Sequence, residues 1–294
     1  MRNVTIPGRG TMAVWESDGP PGAPTLMLLH GLSMTAELGW SRVMARLAAH
    51  ARVVAPDLRG HGDGVQSGDP FTLESCVDDI SALASVLGIQ QFVAVGYSMG
   101  GMAAQLLWRR HPLRVSGLVL CATARNVRGS PMEQAISMTL PAMAMATRWS
   151  PAGHLLTAQT LASSVLGHVP DDATRSWAEL QLSRTSLADA VAAIHAAAHF
   201  NSRMWIGEVD VPTAVVITTR DTMVPPRRQR RLAQAVPGAV TVELVGDHGV
   251  CVTDPAAFGD ALVEALHVVT GPRASERAGR APAMPMPGAS CAAG

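Results

Sequence analysis

The sequence predicts an α/β protein whose mostly parallel central sheet is flanked by helices, with a helical cap inserted before the last strands. Short apolar runs bounded by turn residues alternate with segments of helical periodicity, a pattern that is typical of βαβ units. Residues 125–208 break this alternation, because they contain no convincing strand and resemble several apolar helices. The chain has 294 residues, of which 48% are hydrophobic, and this is enough to bury a sizeable core.

The elements can be assigned in chain order from apolar runs and helical spacing. We expect strands at 25–31, within 51–62 where Pro56 closes the run, and at 92–95, 115–121, 213–219 and 239–245, the last of them near the sheet edge. We expect helices at 73–88, 99–110 and 254–269.

These elements divide the chain into three parts. Residues 1–124 and 209–270 form the predicted core, and residues 125–208 form the predicted helical cap, or lid. Residues 271–294 are rich in Pro, Ala, Gly and Ser with few large apolar side chains, which predicts a disordered tail.

Composition argues against several classes of partner. The formal net charge is zero and no block of like charge stands out, so we expect no nucleic-acid partner. No apolar run is long enough to span a bilayer, and no secretory signal is evident at the start, so we expect no stable membrane insertion.

The four cysteines are widely spaced, which favours a reduced, cytoplasmic protein. The oligomeric state stays open.

Residues 96–100, Gly-Tyr-Ser-Met-Gly, match the pattern G-x-S-x-G and place Ser98 between a predicted strand and a predicted helix. A serine on such a sharp turn has unfavourable backbone angles, and flanking glycines remove side chains that would clash. In a glycine-rich chain these letters can also match by chance. The strand before the motif and the helix after it favour Ser98 as a nucleophile.

A serine nucleophile needs a base to remove its proton, and His248 is the candidate. It lies on a glycine-flanked loop after the 239–245 strand, at the sheet edge where Ser98 is also expected. A solvated loop histidine is the alternative interpretation.

The base in turn needs an orienting acid, for which Asp221, Asp247 and Asp210 compete. Asp221 follows the 213–219 strand and gives the chain order Ser, Asp, His. Asp247 adjoins His248, which makes the required angle awkward, and Asp210 precedes its strand. We therefore prefer Asp221.

The loop after the first predicted parallel strand, within 28–34, can supply donors for an oxyanion. The backbone N–H of Leu32 could pair with that of Met99, which begins the helix after Ser98. His30 is interpreted as a structural residue that holds this loop.

Five motifs in one order resemble the α/β-hydrolase superfamily from about residue 25 to 269: a strand ending in His-Gly, then DLRGHG, GYSMGG, RDTMVP and GDHG. The resemblance implies Ser98 as nucleophile, His248 as general base and acid, and Asp221 as orienting carboxylate. It also implies Leu32 and Met99 as oxyanion-hole amides, with no metal and no organic cofactor.

The motifs are similar to those of esterases, enol-lactonases and C–C bond hydrolases within that superfamily. A serine at position 98 argues against the branches that use aspartate there. One departure is that Asp63-Gly64 follows the Gly-His-Gly of residues 60–62, where a serine is common two positions on.

The function we expect is hydrolysis of a carboxylic ester of a small to medium hydrophobic substrate. Lactone opening, C–C cleavage or acyl transfer with the same triad is the alternative, and a non-catalytic small-molecule receptor is a third hypothesis. The candidate residues of the substrate pocket are Ser33, Met223, Val224 and Val250.

Overall fold

An eight-stranded sheet forms the centre of the computed structural model, which describes residues 1–66, 71–127, 169 and 171–271. The first three strands in sheet order pair antiparallel, and all later pairs are parallel. The strands are β1 (Arg2–Ile6), β2 (Gly10–Ser17), β3 (Thr25–Leu29), β4 (Arg52–Pro56), β5 (Phe92–Tyr97), β6 (Val115–Cys121), β7 (Thr213–Thr218) and β8 (Val240–Leu244). Their order is β1-β2-β4-β3-β5-β6-β7-β8, so the predicted mostly parallel sheet is confirmed, with β8 at an edge.

Helices cover both faces of this sheet. Among the described residues, none of them is both long and apolar enough to cross a membrane. They are α1 (Ala36–Ala48), α2 (Leu73–Val86), α3 (Met99–Arg110), α4 (Asp172–Leu182), α5 (Leu187–His199), α6 (Pro226–Ala235), α7 (Val250–Thr253) and α8 (Pro255–Thr270).

Alternate residues of each central strand belong to two separate cores, because successive side chains of a strand point to opposite faces. In β3, Met27 and Leu29 pack in the core formed with α2, α3 and α6. Leu26 and Leu28 pack in the core formed with α1 and α8. Burial on both faces explains why these strands are uninterrupted apolar runs in the sequence.

The structure adds elements that the sequence patterns did not predict. The hairpin β1–β2 lies at the sheet edge, and in β1 only Val4 and Ile6 are buried, so no apolar run marks the strand. Helix α6 is rich in arginine and buries only three residues, which are Gln229, Leu232 and Ala233.

The predicted cap is described only in part. Helices α4 and α5 lie within residues 125–208, and the C-terminal half of α4 contacts the core where Thr35 Oγ1 donates to Gln181 Oε1 at 2.7 Å. Residues 128–168 and 170 of the cap, and the predicted tail from residue 272 onward, lie outside the described residues. The division into core, cap and tail stays a prediction.

A buried ion pair joins the N-terminal hairpin, the loop after β4 and helix α2. Arg59 donates to Asp79 through Nε at 2.7 Å and Nη2 at 2.9 Å, a bidentate contact, and Arg9 donates to the same carboxylate at 2.9 Å. Asp79 is fully buried and Arg59 is nearly so. A charge held inside the protein in this way depends on its partner.

We expect Asp79→Ala to lower the free energy of unfolding by about 3–5 kcal/mol, because it leaves a buried guanidinium without its carboxylate. The neighbouring Asp78 offers a matched control, since it pairs with Arg110 near the surface. Asp78→Ala is expected to cost no more than about 1 kcal/mol. Urea unfolding at pH 7 measures both values, and equal costs would contradict the role given to Asp79.

Candidate active site

Ser98 occupies the sharp turn between β5 and α3. Its φ of 55° and ψ of −117° lie outside the regions that side-chain-bearing residues favour. Two hydrogen bonds hold the turn: the Ser98 N–H donates to Cys121 O at 2.9 Å, and Thr123 Oγ1 donates to Ser98 O at 2.7 Å. The serine is partly exposed, although both neighbours in the chain are buried.

The glycines of the motif are required by close backbone contacts. A Cβ on Gly96 would overlap the carbonyl of Gly100, and a Cβ on Gly100 would overlap the carbonyl of Leu29 at the end of β3. Only glycine permits the helix to approach the sheet this closely. The spacing G-x-S-x-G therefore has a steric cause in this chain.

The three residues expected to form a triad lie in contact. His248, on the loop between β8 and α7, has Nε2 2.9 Å from Ser98 Oγ and Nδ1 2.7 Å from Asp221 Oδ2. Asp221 and His248 are both buried. The Tyr97 hydroxyl donates to the backbone oxygen of His248 at 2.6 Å, which fixes the loop beside the serine.

The partners of the imidazole define where its proton lies. A carboxylate only accepts hydrogen bonds, so Nδ1 carries the proton and donates it to Asp221. Nε2 then offers its lone pair to the hydroxyl of Ser98. This is the arrangement in which a histidine can act as a base toward serine.

The competing carboxylates are occupied elsewhere. Asp247 Oδ1 accepts the N–H of Gly249 at 2.8 Å. Asp210 accepts the indole N–H of Trp108 at 3.0 Å, near the opposite ends of the strands. Of the three candidate acids, the structure brings Asp221 to His248.

The candidate oxyanion loop runs beside Ser98. A Cβ built on Gly31 would lie 3.4 Å from Ser98 Cβ, so Leu32 directly follows a residue that lies beside the serine. Met99 is the first residue of α3, where a backbone N–H has no acceptor within the helix. The role of Leu32 and Met99 as oxyanion donors stays a prediction.

His30 holds this loop from within the core. Its Nε2 accepts the Leu58 N–H at 2.9 Å, so Nδ1 must carry the proton and donates to Gly31 O at 2.8 Å. Burial lowers the pKa of His30 to about 4, and the pKa of neighbouring His61 is likewise about 4, chiefly through burial. Both imidazoles are neutral at pH 7.

The four residues proposed for a substrate pocket have different surroundings. Ser33 is buried with a φ of 57°, and its hydroxyl has no hydrogen-bond partner among the described residues. Met223 is exposed and Val224 buried, and the backbone N–H groups of both donate to Asp221 Oδ1. Val250 is 1% exposed within the core beside α8. Their contact with substrate stays a prediction.

Two polar residues near Asp221 were missed by the sequence patterns. Thr218 Oγ1 donates to Asp221 Oδ2 at 2.9 Å, and Gln229 Nε2 lies 3.4 Å from the same oxygen. The available signal was the periodicity of α6, which places Gln229 on the same face as Leu232 and Ala233. A polar residue on an otherwise apolar face indicates a buried hydrogen-bonding role.

Comparisons with known proteins place these features in a family. The family model described as alpha/beta hydrolase fold matches residues 24–255. A pimeloyl-[acyl-carrier protein] methyl ester esterase of Neisseria meningitidis is 28% identical over 229 residues, covering 75% of this chain and 84% of that protein. A 2-hydroxymuconate semialdehyde hydrolase of a Pseudomonas species is 39% identical over 110 residues, 36% of this chain and 38% of that protein.

Among solved structures, the enol-lactonase from Burkholderia xenovorans is similar in fold. It has a TM-score of 0.76 and 26% identity, with 90% of this chain and 99% of the lactonase covered.

The low pKa values of His30 and His61 predict a loss of stability in mild acid. Because the unfolded chain, with a histidine pKa near 6.5, binds these protons more tightly, their contribution is complete above about pH 6.5 and is lost as the pH falls toward 4. Each histidine is expected to cost on the order of 2 kcal/mol between pH 7.5 and pH 5.

Urea unfolding at the two pH values measures this loss. His30→Gln is expected to reduce the pH-dependent difference by about half, whereas the exposed His50→Gln serves as control and is expected to leave it unchanged. A His30→Gln protein with the full wild-type difference would show that His30 is not its source.

Proposed function

We propose that this chain, which belongs to the α/β-hydrolase fold family, is a serine hydrolase that cleaves a carboxylic ester of a small to medium hydrophobic substrate through an acyl-enzyme at Ser98. One observation carries the proposal. The imidazole of His248 lies between the Ser98 hydroxyl at 2.9 Å and the Asp221 carboxylate at 2.7 Å. Such a bridge is the arrangement that turns a weakly nucleophilic hydroxyl into a nucleophile.

In the first half of the reaction, Ser98 Oγ attacks the ester carbonyl while its proton passes to His248 Nε2. The imidazolium that forms is stabilised by Asp221, which remains a carboxylate. The negative charge that develops on the carbonyl oxygen is met by the N–H groups of Met99 and Leu32. Each such donor is commonly worth about 10²–10³ in rate.

The first half ends when the tetrahedral intermediate collapses and His248 gives its proton to the leaving alkoxide. In the second half, His248 Nε2 deprotonates a water molecule, which attacks the acyl-serine. The bond between the acyl carbon and Ser98 Oγ then breaks, His248 returns the proton to Oγ, and the acid is released. These steps need no metal and no organic cofactor. The small-molecule substrate is the only partner that the proposal requires.

The ester class is supported by the relative named as a methyl ester esterase. The apolar sequence of residues 125–208 supports a hydrophobic substrate, because pockets are lined mainly by apolar side chains. The intact combination of serine, histidine and aspartate favours catalysis over a receptor role.

Lactone opening is the second candidate, and the solved enol-lactonase at 26% identity favours it. A lactone is a cyclic ester, so the same attack by Ser98 would open the ring. C–C cleavage and acyl transfer to an alcohol would use the same three residues, and they differ in what the rest of the pocket binds.

The first test is Ser98→Ala, assayed on p-nitrophenyl esters of several chain lengths. Loss of the nucleophile is expected to lower kcat by a factor on the order of 10⁴–10⁶. Ser202→Ala is a matched control, because Ser202 is a buried serine whose hydroxyl bonds Gln105 away from the triad. Undiminished turnover by Ser98→Ala would refute the proposal.

Product analysis separates hydrolysis from acyl transfer. With an ester substrate and added methanol, a hydrolase is expected to yield mainly the free acid, because water attacks the acyl-serine. A transesterified product that dominates at low methanol concentration would instead identify an acyltransferase.

A further inference from the structure

The carboxylate of Asp221 is surrounded by donors from its own loop and from outside it. Oδ1 accepts the N–H groups of Met223 at 2.9 Å and Val224 at 2.8 Å. Oδ2 accepts His248 Nδ1 at 2.7 Å and the Thr218 hydroxyl at 2.9 Å. The orientation of this carboxylate therefore depends on how firmly the loop from Thr218 to Val224 is held.

Gln229 of α6 bonds both ends of that loop and is itself fully buried. Its Oε1 accepts the Thr218 N–H at 3.0 Å, and its Nε2 donates to Val224 O at 2.7 Å. Nε2 also lies 2.8 Å from Thr218 Oγ1 and 3.4 Å from Asp221 Oδ2. One side chain thus closes the loop and reaches the carboxylate inside it.

These partners leave the amide only one orientation. The Thr218 N–H is a donor and Val224 O is an acceptor, so the oxygen and nitrogen of Gln229 cannot be exchanged. Because Nε2 donates to Thr218 Oγ1, the threonine hydroxyl is left to donate its own hydrogen to Asp221 Oδ2. Gln229 therefore acts on the carboxylate through the threonine, since Val224 O and Thr218 Oγ1 engage the two hydrogens of Nε2.

We propose that Gln229 is a positioning residue of this site, holding Asp221, through Thr218 and the loop that ends at Val224, in the orientation in which its Oδ2 accepts the Nδ1 proton of His248. The proposal rests on the proposed function and adds to it a residue outside the three-residue set. Gln229 does not contact the reacting atoms, and it acts through Asp221.

The chemistry of the position favours glutamine over other residues. Glutamate would place a second carboxylate beside Asp221, where two like charges would repel each other. An apolar residue of similar size would leave the Thr218 N–H and Val224 O without partners. The uncharged amide supplies one acceptor and two donors without adding charge.

The first experiment compares Gln229→Met in two backgrounds, wild type and Asp221→Asn. The readouts are kcat on a p-nitrophenyl ester and the rate at which a fluorophosphonate labels Ser98. Gln229→Met is expected to lower both by about tenfold or more in the wild-type background, as for loss of hydrogen bonds to a charged group. In the Asp221→Asn background the further loss is expected to be under about twofold, because the carboxylate that Gln229 positions is gone.

Gln105→Met is the matched control, because Gln105 is the other fully buried glutamine of the described residues and bonds Gly101 O and Ala124 O. The decrease in kcat and in labelling rate for Gln105→Met measures the general effect of removing a buried amide. If Gln229→Met lowers kcat and the labelling rate by equal factors in both backgrounds, the proposal is overturned, since equal factors would indicate general damage to the fold.

The second experiment needs no substrate. The His248 Nδ1 proton, bonded to a carboxylate, is expected to give a downfield ¹H NMR signal that disappears in His248→Gln. The signal should move upfield or broaden in Gln229→Met and remain in Gln105→Met; an unchanged signal in Gln229→Met would overturn the proposal. If wild-type Ser98 resists the fluorophosphonate, the proposed function fails, while this signal still tests the positioning of Asp221.

Discussion

The close approach of α3 to the end of β3 is the constraint on which the rest of the site depends. Gly100 lies against the carbonyl of Leu29, so the first turn of the helix and the loop that follows β3 share one small volume. Gly31, which precedes Leu32 on that loop, lies beside Ser98, and Met99 begins the helix directly after the serine. Any side chain at position 100 would overlap the carbonyl of Leu29 and force the helix away from the loop that lies beside Ser98.

Backbone strain is concentrated at the same edge of the sheet. Outside glycine, the positive φ values among the described residues occur at Ser33, Ser98 and Ala122, which follow β3, β5 and β6. These three strands are neighbours in the sheet, so the strained residues lie at adjacent strand ends. Such conformations persist only where the surrounding structure holds them, and here Ser98 N–H and Ala122 N–H are each bonded to the next strand.

The sequence predicts the parts of the fold that local chemistry determines. The runs at 92–95 and 115–121 are apolar because both sheet faces are buried. The first run lies within β5, and the second has the same bounds as β6. The edge hairpin β1–β2 and the arginine-rich α6 bury few residues, so they leave a weak pattern. Gln229 illustrates the same limit in the site: its partners, Thr218 and Val224, are set by tertiary contacts that no spacing along the chain encodes.

Asp63-Gly64 stands where a serine is common after the Gly-His-Gly of residues 60–62, and the structure explains this difference by contacts between the core and the predicted cap. Gly64 admits no side chain, because a Cβ there would overlap the carbonyl of Leu58, while the Asp63 carboxylate pairs with Arg184 just after α4. One turn earlier in the chain, Gln181 of α4 bonds Thr35, which caps the helix that follows the candidate oxyanion loop. The segment expected to select the substrate is therefore anchored on the loops after β3 and β4. Because Thr35 and Leu32 lie on the same loop after β3, the predicted cap and the predicted oxyanion donor share one anchor in the core.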